Sequence, residues 1–349
     1  MSNADSNAKP FQSPAAWRGD ELFTRNDWKF DLTDDETAEL QRALASCEQL
    51  RIEEITPKNF RLDRLATKLW AVQNALENGS GGCRVRVFDD DRFPVSQFTE
   101  DQLKRLFFGL AQYVGTPVSQ SAAGERIFSV RNEGYAENDP RSRGPNTKKK
   151  LSYHTDRCDV IAFLCLKQAK SGGENHVVSS VTLYNEILKR RPDLLSVLME
   201  PFYYKRHNVD TGNNKPYIQQ PVFSIYAGHF AANILRVLID RAYEMPELPN
   251  MTDLQREALD YVEELADDPE LRVSFRQEPG DLLLLNNFVT FHRRTEFEDY
   301  EDPTQRRHLL RIWLSVPNSR PLDPVFAGNY GTTEAGAIRG GMPPEGGAT

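Results

Sequence analysis

The apolar positions recur with helical spacing in four parts of the chain. Residues 34–78 carry this spacing in "DDETAELQRALASCEQL" and "RLDRLATKLWAVQNALEN", where Thr33 and Asp34 are suited to cap the first helix. Thr99 is suited in the same way to cap "TEDQLKRLFFGLAQYVG", which ends at Gly115. Apolar residues three and four apart form one face of a helix, so each stretch predicts a helix with a buried side. The other two stretches are 181–198 ("VTLYNEILKRRPDLLSVL") and 252–266.

Short apolar runs with strand character lie between and after these helices. "GGCRVRVFD", "RIFSVRN" and "VIAFLCL" come first, and "VSFRQEPGDLLLLNNFVTFHRR" and "RRHLLRIWLSVP" follow late in the chain. Strands and helices do not alternate regularly, and no glycine-rich loop follows a strand with phosphate-binding spacing, which argues against a nucleotide-binding fold. The pattern predicts an α+β, mainly β protein: a double-stranded β-helix, or jelly roll, with surrounding helices.

No internal repeat or linker divides the chain into two domains. We expect residues 1–20 to be a flexible N-terminal segment, 21–330 a single jelly-roll domain with helical insertions, and 331–349 a flexible Gly-rich tail. The polar stretch 132–150 ("NEGYAENDPRSRGPNTKKK") is long for a loop inside a compact domain. It ends four residues before His154, a candidate site residue, so we expect it to act as a lid.

Composition narrows the classes of partner and location. No apolar run in the 349 residues approaches the roughly 20 residues that span a bilayer, and the N-terminal sequence lacks the apolar region of a secretory signal. We therefore expect a cytoplasmic protein without a membrane partner. The net charge of −8 argues against nucleic acid. The four cysteines form no CxxC pair and are expected to be free thiols. A homodimer is expected only because dimers are common.

A histidine and an aspartate two residues apart stand just ahead of the apolar run "VIAFLCL". On a strand, residues i and i+2 point to the same face, so His154 and Asp156 would project together. An imidazole and a carboxylate on one face supply two ligands of a 2-His-1-carboxylate triad, and they also fit a salt-bridged surface pair. Of the six histidines, His292 is the strongest third ligand, because it follows the strand "DLLLLNN" and a late jelly-roll strand can return beside an early one.

Two arginines follow on the last predicted strand. Arg307 and Arg311 are four residues apart, so on a strand they share a face. Buried guanidinium groups are costly unless anions meet them, and their planar fork matches a carboxylate. The pair therefore predicts either ion pairs with acidic residues of neighbouring strands or the binding of an anionic ligand.

Together these motifs resemble the taurine dioxygenase (TauD/TfdA) family of Fe(II)- and 2-oxoglutarate-dependent dioxygenases, in the clavaminate synthase-like branch of the jelly-roll superfamily. The matching pieces are "YHTD", "SGGENHVVSS", "PGDLLLLNN", "TFHRR" and "RRHLLR", which occur in the family's order. The resemblance spans roughly residues 80–320. It implies hydroxylation, or another oxidation of a C–H bond, of a small anionic substrate by O2, with release of succinate and CO2.

The resemblance also implies roles for particular residues. His154, Asp156 and His292 match the iron ligands, and Arg307 matches the residue that grips the distal carboxylate of 2-oxoglutarate. Arg311 matches a position that often binds an acidic group of the substrate.

Two further positions depend on the family pattern in the same way. Asn175 stands where a threonine commonly contacts 2-oxoglutarate, and its amide can still donate a hydrogen bond. Arg157 lies near the substrate position. Because Asp156 keeps its carboxylate, the chain does not match the related halogenases, which have a small residue there.

Two other classes of protein remain open from the sequence. A non-catalytic jelly-roll protein would use the arginines to hold an anion and would bind no iron. A zinc-dependent hydrolase would use the same three ligands around a metal-bound water, but it gives the paired arginines no role.

Overall fold

Two β-sheets face each other, and helices cover the outer face of each. The computed structural model describes residues 9–89, 91–135, 139, 144–213 and 215–345. The α-helices of this part are α1 (Asp34–Ser46), α2 (Arg64–Asn78), α3 (Glu100–Ala111), α4 (Ser180–Arg190), α5 (Pro192–Leu198), α6 (Arg236–Tyr243), α7 (Asp253–Ala266) and α8 (Ala327–Tyr330). Short 3₁₀ turns lie at Gly19–Thr24, Ile52–Glu54, Val95–Gln97, Gly144–Asn146, Pro303–Gln305 and Pro324–Phe326.

The strands are mostly short. They are β1 (Lys29–Asp31), β2 (Gly82–Arg86), β3 (Thr116–Val118), β4 (Phe128–Val130), β5 (Val160–Lys167), β6 (Ser171–Gly172), β7 (Asn175–Ser179), β8 (Phe202–Lys205), β9 (Tyr217–Gln220), β10 (Phe223–Tyr226), β11 (His229–Ala232), β12 (Arg272–Phe275), β13 (Asp281–Asn286), β14 (Thr290–Arg294), β15 (Phe297–Glu298) and β16 (His308–Ser315).

The larger sheet has the order β1-β2-β13-β5-β16-β3, and β4 also pairs with β16. Its strands run antiparallel except for the parallel pair β1–β2. The smaller sheet has the antiparallel order β12-β7-β14. Three two-stranded ribbons, β8–β9, β10–β11 and β6–β15, lie outside these sheets. The chain thus combines helices with sheets built from strands distant in sequence.

Alternation along β16 shows how the larger sheet divides its two faces. Leu310, Ile312 and Leu314 pack into the apolar core shared with α1, α2 and α3. The residues between them point to the other side, where Arg311 and Trp313 line a cavity. Side chains alternate between the two faces of the strand, and both faces are buried. The sequence of this strand is therefore apolar almost throughout.

The smaller sheet repeats the arrangement. Val178 and Phe291 pack outward against α4, α5 and α7, whereas Val177 packs between the two sheets. His292, next to Phe291 on β14, lines the same cavity as Arg311. The layers therefore run helices, larger sheet, smaller sheet, helices, and the cavity lies between the sheets.

The helix predictions are confirmed with one correction. Thr33 and Thr99 cap α1 and α3 by accepting hydrogen bonds from the backbone N–H groups three residues on. The stretch 181–198, predicted as one helix, is split into α4 and α5. Arg191 adopts φ −143° and ψ 66°, because a residue before proline is sterically kept out of the helical region, and Pro192 then opens a new helix.

Residues 336–342 differ from the flexible tail that their glycine content predicted. Arg339 is buried, and its Nε donates to Asp159 Oδ1 at 2.7 Å. The backbone N–H groups of Gly341 and Met342 donate to the carbonyl oxygens of Arg157 and Ser119 at 2.7 and 2.9 Å. A buried carboxylate needs a cation, and this demand fixes the segment against the body of the protein. The N-terminal segment 1–20, predicted to be flexible, is also packed in part: Trp17 is buried, and its Nε1 donates to the carbonyl oxygen of Ser80 at 2.8 Å. Residues 346–349 of the predicted tail and 1–8 of the predicted N-terminal segment lie outside the described residues.

Within the described ranges, none of the helices has both the length and the apolar character needed to cross a bilayer.

Candidate active site

His154, Asp156 and His292 converge at one point of the cavity between the sheets. Their ligating atoms all lie within 4.8 Å of one another. Asp156 Oδ2 is 3.8 Å from His154 Nε2 and 3.4 Å from His292 Nε2. The ring centroids of the histidines are 4.4 Å apart. The structure thus brings together three groups separated by up to 138 positions in sequence, in an arrangement able to hold a metal ion.

The backbone fixes each of these residues. His292 lies on β14, and His154 pairs with it as an isolated bridge through N–H···O contacts of 3.0 and 3.2 Å. Asp156 lies in the loop before β5, where its backbone N–H donates to Asn287 Oδ1 at 2.9 Å. The sequence prediction that the His–Asp pair shares one strand face is therefore wrong in its local geometry. The convergence instead comes from a one-residue bridge and a side-chain amide.

Several polar atoms of this cluster lack a hydrogen-bond partner in the described part of the chain. They are buried, and they comprise Asp156 Oδ2 and both ring nitrogens of His292. His154 Nδ1 lies 3.0 Å from the carbonyl oxygen of Ser152, which leaves Nε2 as the atom facing the cluster. Buried polar atoms are normally paired, so a carboxylate oxygen and an imidazole nitrogen that both lack a partner and lie 3.4 Å apart indicate that a cation belongs there.

The protonation states suit a metal. Burial, assisted by the neighbouring His292, lowers the pKa of His154 to about 4, so its ring is neutral at pH 7. Burial alone would raise the pKa of Asp156, but Arg311 and the two histidines outweigh burial and hold that pKa well below its usual range. A neutral imidazole and an ionised carboxylate are the forms in which His154 and Asp156 could bind a metal.

Arg311 lies directly behind Asp156. Its Nη1 is 3.3 Å from Asp156 Oδ1, and its Nε donates to Gln120 Oε1 at 2.7 Å. The guanidinium carbon sits 5.1 Å from the centre of the Trp313 ring and 5.2 Å from that of Phe128. This arginine is therefore held on several sides beside the candidate metal ligands.

Arg307 and Arg311 were predicted to share a face of the last strand; Arg307 instead directly precedes β16, and both residues line the cavity. Arg307 is 3% exposed, and its Nε has no hydrogen-bond partner among the described residues. No carboxylate of the described chain lies within ion-pair distance of its guanidinium, and burial lowers the pKa of Arg307 to about 10. The ion-pair alternative to ligand binding is thus not realised at this position. A buried cation without an anion is a candidate anion site.

The remaining predicted residues also line the cavity. Asn175, at the start of β7, has its Nδ2 3.4 Å from Gln277 Oε1. Arg157 turns toward Asp210 and donates to its Oδ2 from Nη1 at 2.7 Å. Asn175 lies among the residues around the cavity, and Arg157 is ion-paired at its rim.

Arg294 was missed from the sequence. It lies two residues after His292 on β14, lines the cavity, and donates to the carbonyl oxygens of Thr147 and Lys149 at 2.9 and 2.6 Å. The guanidinium carbons of Arg294 and Arg307 lie 4.6 and 5.2 Å from the centre of the Phe297 ring. The spacing of two residues between Arg294 and His292 in "TFHRR", which places both on one face of a strand, is the signal that could have identified it.

The cavity has a volume of about 430 Å³, enough for two small molecules. The described end of the predicted lid contributes Gly144, Pro145 and Lys150 to its wall. Residues 136–138 and 140–143 of that loop lie outside the described residues. Positive side chains outnumber carboxylates around the cavity, although the chain as a whole is acidic.

Two histidines and a carboxylate that leave open coordination positions, in a cavity between two sheets, define the class of non-haem iron(II) oxygenases. The chain belongs to the taurine catabolism dioxygenase TauD, TfdA family, whose model matches residues 31–313. It is accordingly a non-haem iron dioxygenase with Fe(II) as cofactor and 2-oxoglutarate as cosubstrate, as the motif resemblance implied.

The chain is also similar to individual proteins over most of its length. The chain is 31% identical over 323 residues to FR-33289 synthase of Streptomyces rubellomurinus, a match that covers 89% of this chain and 92% of the relative. Two solved structures share the fold: asparagine oxygenase in complex with Fe(II), 3-hydroxyasparagine and succinate (TM-score 0.63, 16% identity, 82% of this chain and 94% of that one), and the non-heme iron oxygenase OrfP in complex with Fe and alpha-ketoglutaric acid (TM-score 0.61, 15% identity, 82% and 94%).

Proposed function

We propose that this dioxygenase hydroxylates a C–H bond of a small anionic substrate and that His154, Asp156 and His292 are its three iron ligands. The observation that carries the proposal is the set of buried, unpaired acceptor atoms on Asp156 and His292 beside the neutral ring of His154. The residues fit the ion: two imidazoles and one carboxylate satisfy Fe(II) while leaving positions for ligands.

Arg307 is the proposed clamp for the distal carboxylate of 2-oxoglutarate. It is a buried guanidinium with an unpaired Nε in the same cavity as the three ligands. A carboxylate placed there would make charge-assisted, bidentate hydrogen bonds. Asn175 lines the same cavity and supplies an amide that can donate to the cosubstrate.

The bound iron with 2-oxoglutarate and O2 supplies the oxidation, which yields succinate and CO2. The chain's own residues orient the reactants and exclude water. Arg311 contacts one carboxylate oxygen of Asp156 through Nη1. Its other terminal nitrogen, Nη2, can donate a hydrogen bond to an anionic group of the substrate. Arg157 also lines the cavity. Fixing both reactants in one cavity is the main contribution of such side chains to the rate.

The finer architecture is also part of the proposal. We infer that the larger sheet and the β12-β7-β14 sheet are the two halves of a double-stranded β-helix within a single domain. The sequence predicted this domain at residues 21–330, and residues 336–342 also pack against it. The face-to-face arrangement of the two sheets and the cavity between them support this description. Neither a non-catalytic anion-binding protein nor a zinc hydrolase is favoured once the family is known.

The test is succinate formation by protein purified without oxygen, given Fe(II), 2-oxoglutarate and ascorbate, and then exposed to air. Iron uptake is measured in parallel on the same samples. We expect about one Fe(II) per chain and succinate that depends on it, and both should be lost in His154→Ala. His229→Ala, which removes an exposed imidazole outside the cavity, is the matched control. Full iron uptake by His154→Ala would overturn the ligand assignment.

A further inference from the structure

One end of the cavity carries positive charge that neither the metal ligands nor the proposed cosubstrate clamp uses. This basic end is formed by Arg157, Lys205, Arg206 and Asp210, all of which line the cavity. Arg157 follows Asp156 directly in sequence, so the basic end begins one residue from the candidate metal ligands, whereas Arg307 precedes β16 and contacts the ring of Phe297.

Asp210 is shared between the two arginines. Its Oδ2 accepts from Arg157 Nη1 at 2.7 Å and from Arg206 Nη1 at 3.0 Å. Arg206 also donates from Nε and Nη2 to the carbonyl oxygens of Lys215 and Gly328 at 3.0 and 2.8 Å. Arg206 is thereby fixed in place, and one carboxylate has to balance two guanidinium groups.

Arg157 keeps hydrogen-bonding capacity of its own. Its side chain is 14% exposed, and its Nε is buried without a hydrogen-bond partner in the described part of the chain. Nη1 is the atom that meets Asp210. A guanidinium held at one nitrogen and unsatisfied at another can accept a multidentate anion without rearranging its ion pair.

Lys205 adds a cation with no partner. It ends β8 and lines the cavity, and across the described ranges its ammonium makes no hydrogen bond or ion pair. The basic end therefore joins three cations to one carboxylate, a net charge of +2. A single negative charge, as on a carboxylate or sulfonate, would leave half of this uncompensated in a partly enclosed site.

Part of the cavity wall is apolar. Ile218, Leu235 and Leu238 line the same cavity as the four residues of the basic end. A ligand held here by its charged group would lay a carbon body against these side chains, as polar anchoring within apolar walls is the usual design of small-molecule sites.

Resting on the proposed function, we propose that the basic end binds a dianionic phosphoryl or phosphonyl group of the primary substrate. Arg157 supplies a planar fork for its oxygens and Lys205 a point charge, the two elements that typically recognise such groups. Arg206 is a positioning residue that holds Asp210, and so Arg157, in place. The carbon chain of the substrate then extends from the basic end toward the three metal ligands.

The experiment is a calorimetric titration of the full chain with phenyl phosphate, first metal-free and then loaded with Fe(II) and 2-oxoglutarate without oxygen. At pH 8 the phosphate monoester is a dianion, because its second pKa is about 6. Benzenesulfonate, which has the same ring and a tetrahedral group with one charge, is the matched ligand. We expect phenyl phosphate to bind and benzenesulfonate to bind at least roughly tenfold more weakly.

Lys205→Gln is the central variant, because no described residue depends on the Lys205 ammonium for a hydrogen bond. It should weaken phenyl phosphate binding by roughly tenfold, and Arg157→Gln should do the same if thermal melting shows that it folds. Lys189→Gln, which removes an exposed lysine on α4, is the matched control. Arg307→Gln should leave phenyl phosphate binding unchanged.

Four outcomes would overturn the proposal: no binding of phenyl phosphate, equal binding of benzenesulfonate, an unchanged affinity in Lys205→Gln, or a loss of affinity confined to Arg307→Gln. The metal-free titration needs no catalysis. Binding with the expected variant pattern in a protein that forms no succinate would therefore count against the proposed function alone.

Discussion

Arg311 and the two histidines meet opposite oxygens of the same carboxylate. Arg311 Nη1 lies 3.3 Å from Asp156 Oδ1, whereas His154 and His292 both approach Oδ2. The arginine thus fixes the rotation of the carboxylate and leaves Oδ2 for a cation. In this arrangement Arg311, whose sequence position suggested substrate binding, also orients Asp156, a proposed metal ligand.

Arg311→Met should therefore lower the turnover of 2-oxoglutarate both with and without substrate, by about tenfold, because Asp156 loses the charge-assisted contact that orients it. Succinate formation measured with and without a candidate substrate checks this. Arg311→Lys, which keeps the charge without the fork, should recover part of the loss. If only the KM for the substrate rises while substrate-free turnover stays normal, Arg311 acts on the substrate alone.

Gly173→Ala should raise the KM for 2-oxoglutarate several-fold, since a Cβ at this position would lie 3.2 Å from Arg307 Nε and push the proposed clamp aside. Gly173 has φ +71°, so alanine also introduces backbone strain of about 1 kcal/mol. Gly228→Ala is the matched control, because Gly228 has φ +80° and nothing within 4 Å of a new Cβ. Both variants should melt at lower temperature, but only Gly173→Ala should change the KM. An equal KM in the two variants would separate Gly173 from the clamp.

Arg294→Gln should loosen the segment before His154. Arg294 donates to the carbonyl oxygens of Thr147 and Lys149, and its own carbonyl accepts from Leu151 N–H. Without the guanidinium, amide exchange should accelerate by about tenfold across residues 147–151, as expected when about 1.4 kcal/mol of local stability is lost. Hydrogen–deuterium exchange with mass spectrometry measures this. Arg191→Gln, at an exposed ion pair, is the control and should leave these amides unaffected. Unchanged exchange in Arg294→Gln would show that other contacts hold the segment.

His308 should make the protein less stable in mild acid. Burial lowers the pKa of His308 to about 4, from an ordinary value of 6.5, although Glu100 works in the opposite direction. Between these two values the unfolded state binds more protons than the folded state, so the free energy of unfolding falls as the pH decreases. Urea denaturation at pH 7 and pH 4.5 should show a fall that is smaller in His308→Gln by about 2 kcal/mol. His229→Gln controls for the loss of one imidazole, and an equal fall in His308→Gln and the unmodified protein would contradict the prediction.

The strands and the candidate site residues could be predicted from the sequence, but the local geometry of the site could not. His154, Asp156 and His292 were recognisable because few side chains bind metals and because apolar strands flank them. The support of Asp156 was not recognisable, since Asn287 reaches its backbone N–H from 131 residues away and nothing in "LLNNF" distinguishes the two asparagines. Arg311 was placed correctly on its face, but its contact with Asp156 depends on the pairing of β16 with β5.

The C-terminal segment shows a second feature that the sequence pattern did not predict. Glycine content predicts freedom, yet Gly340 and Gly341, with φ of +77° and +70°, form a turn that brings their neighbour Arg339 to the buried carboxylate of Asp159. The need for that pairing comes from the burial of Asp159, and burial is a property of the folded chain rather than of its local sequence.

The hydrogen bond from Gly341 to the carbonyl oxygen of Arg157 also sets an order of events during synthesis on the ribosome. The loop with His154 and Asp156 emerges long before residues 339–342, and His292 emerges between the two. Until residues 339–341 are available, Asp159 lacks its guanidinium and the loop lacks this backbone contact. The loop that carries His154 and Asp156 can therefore be secured only after every strand of both sheets has been synthesised.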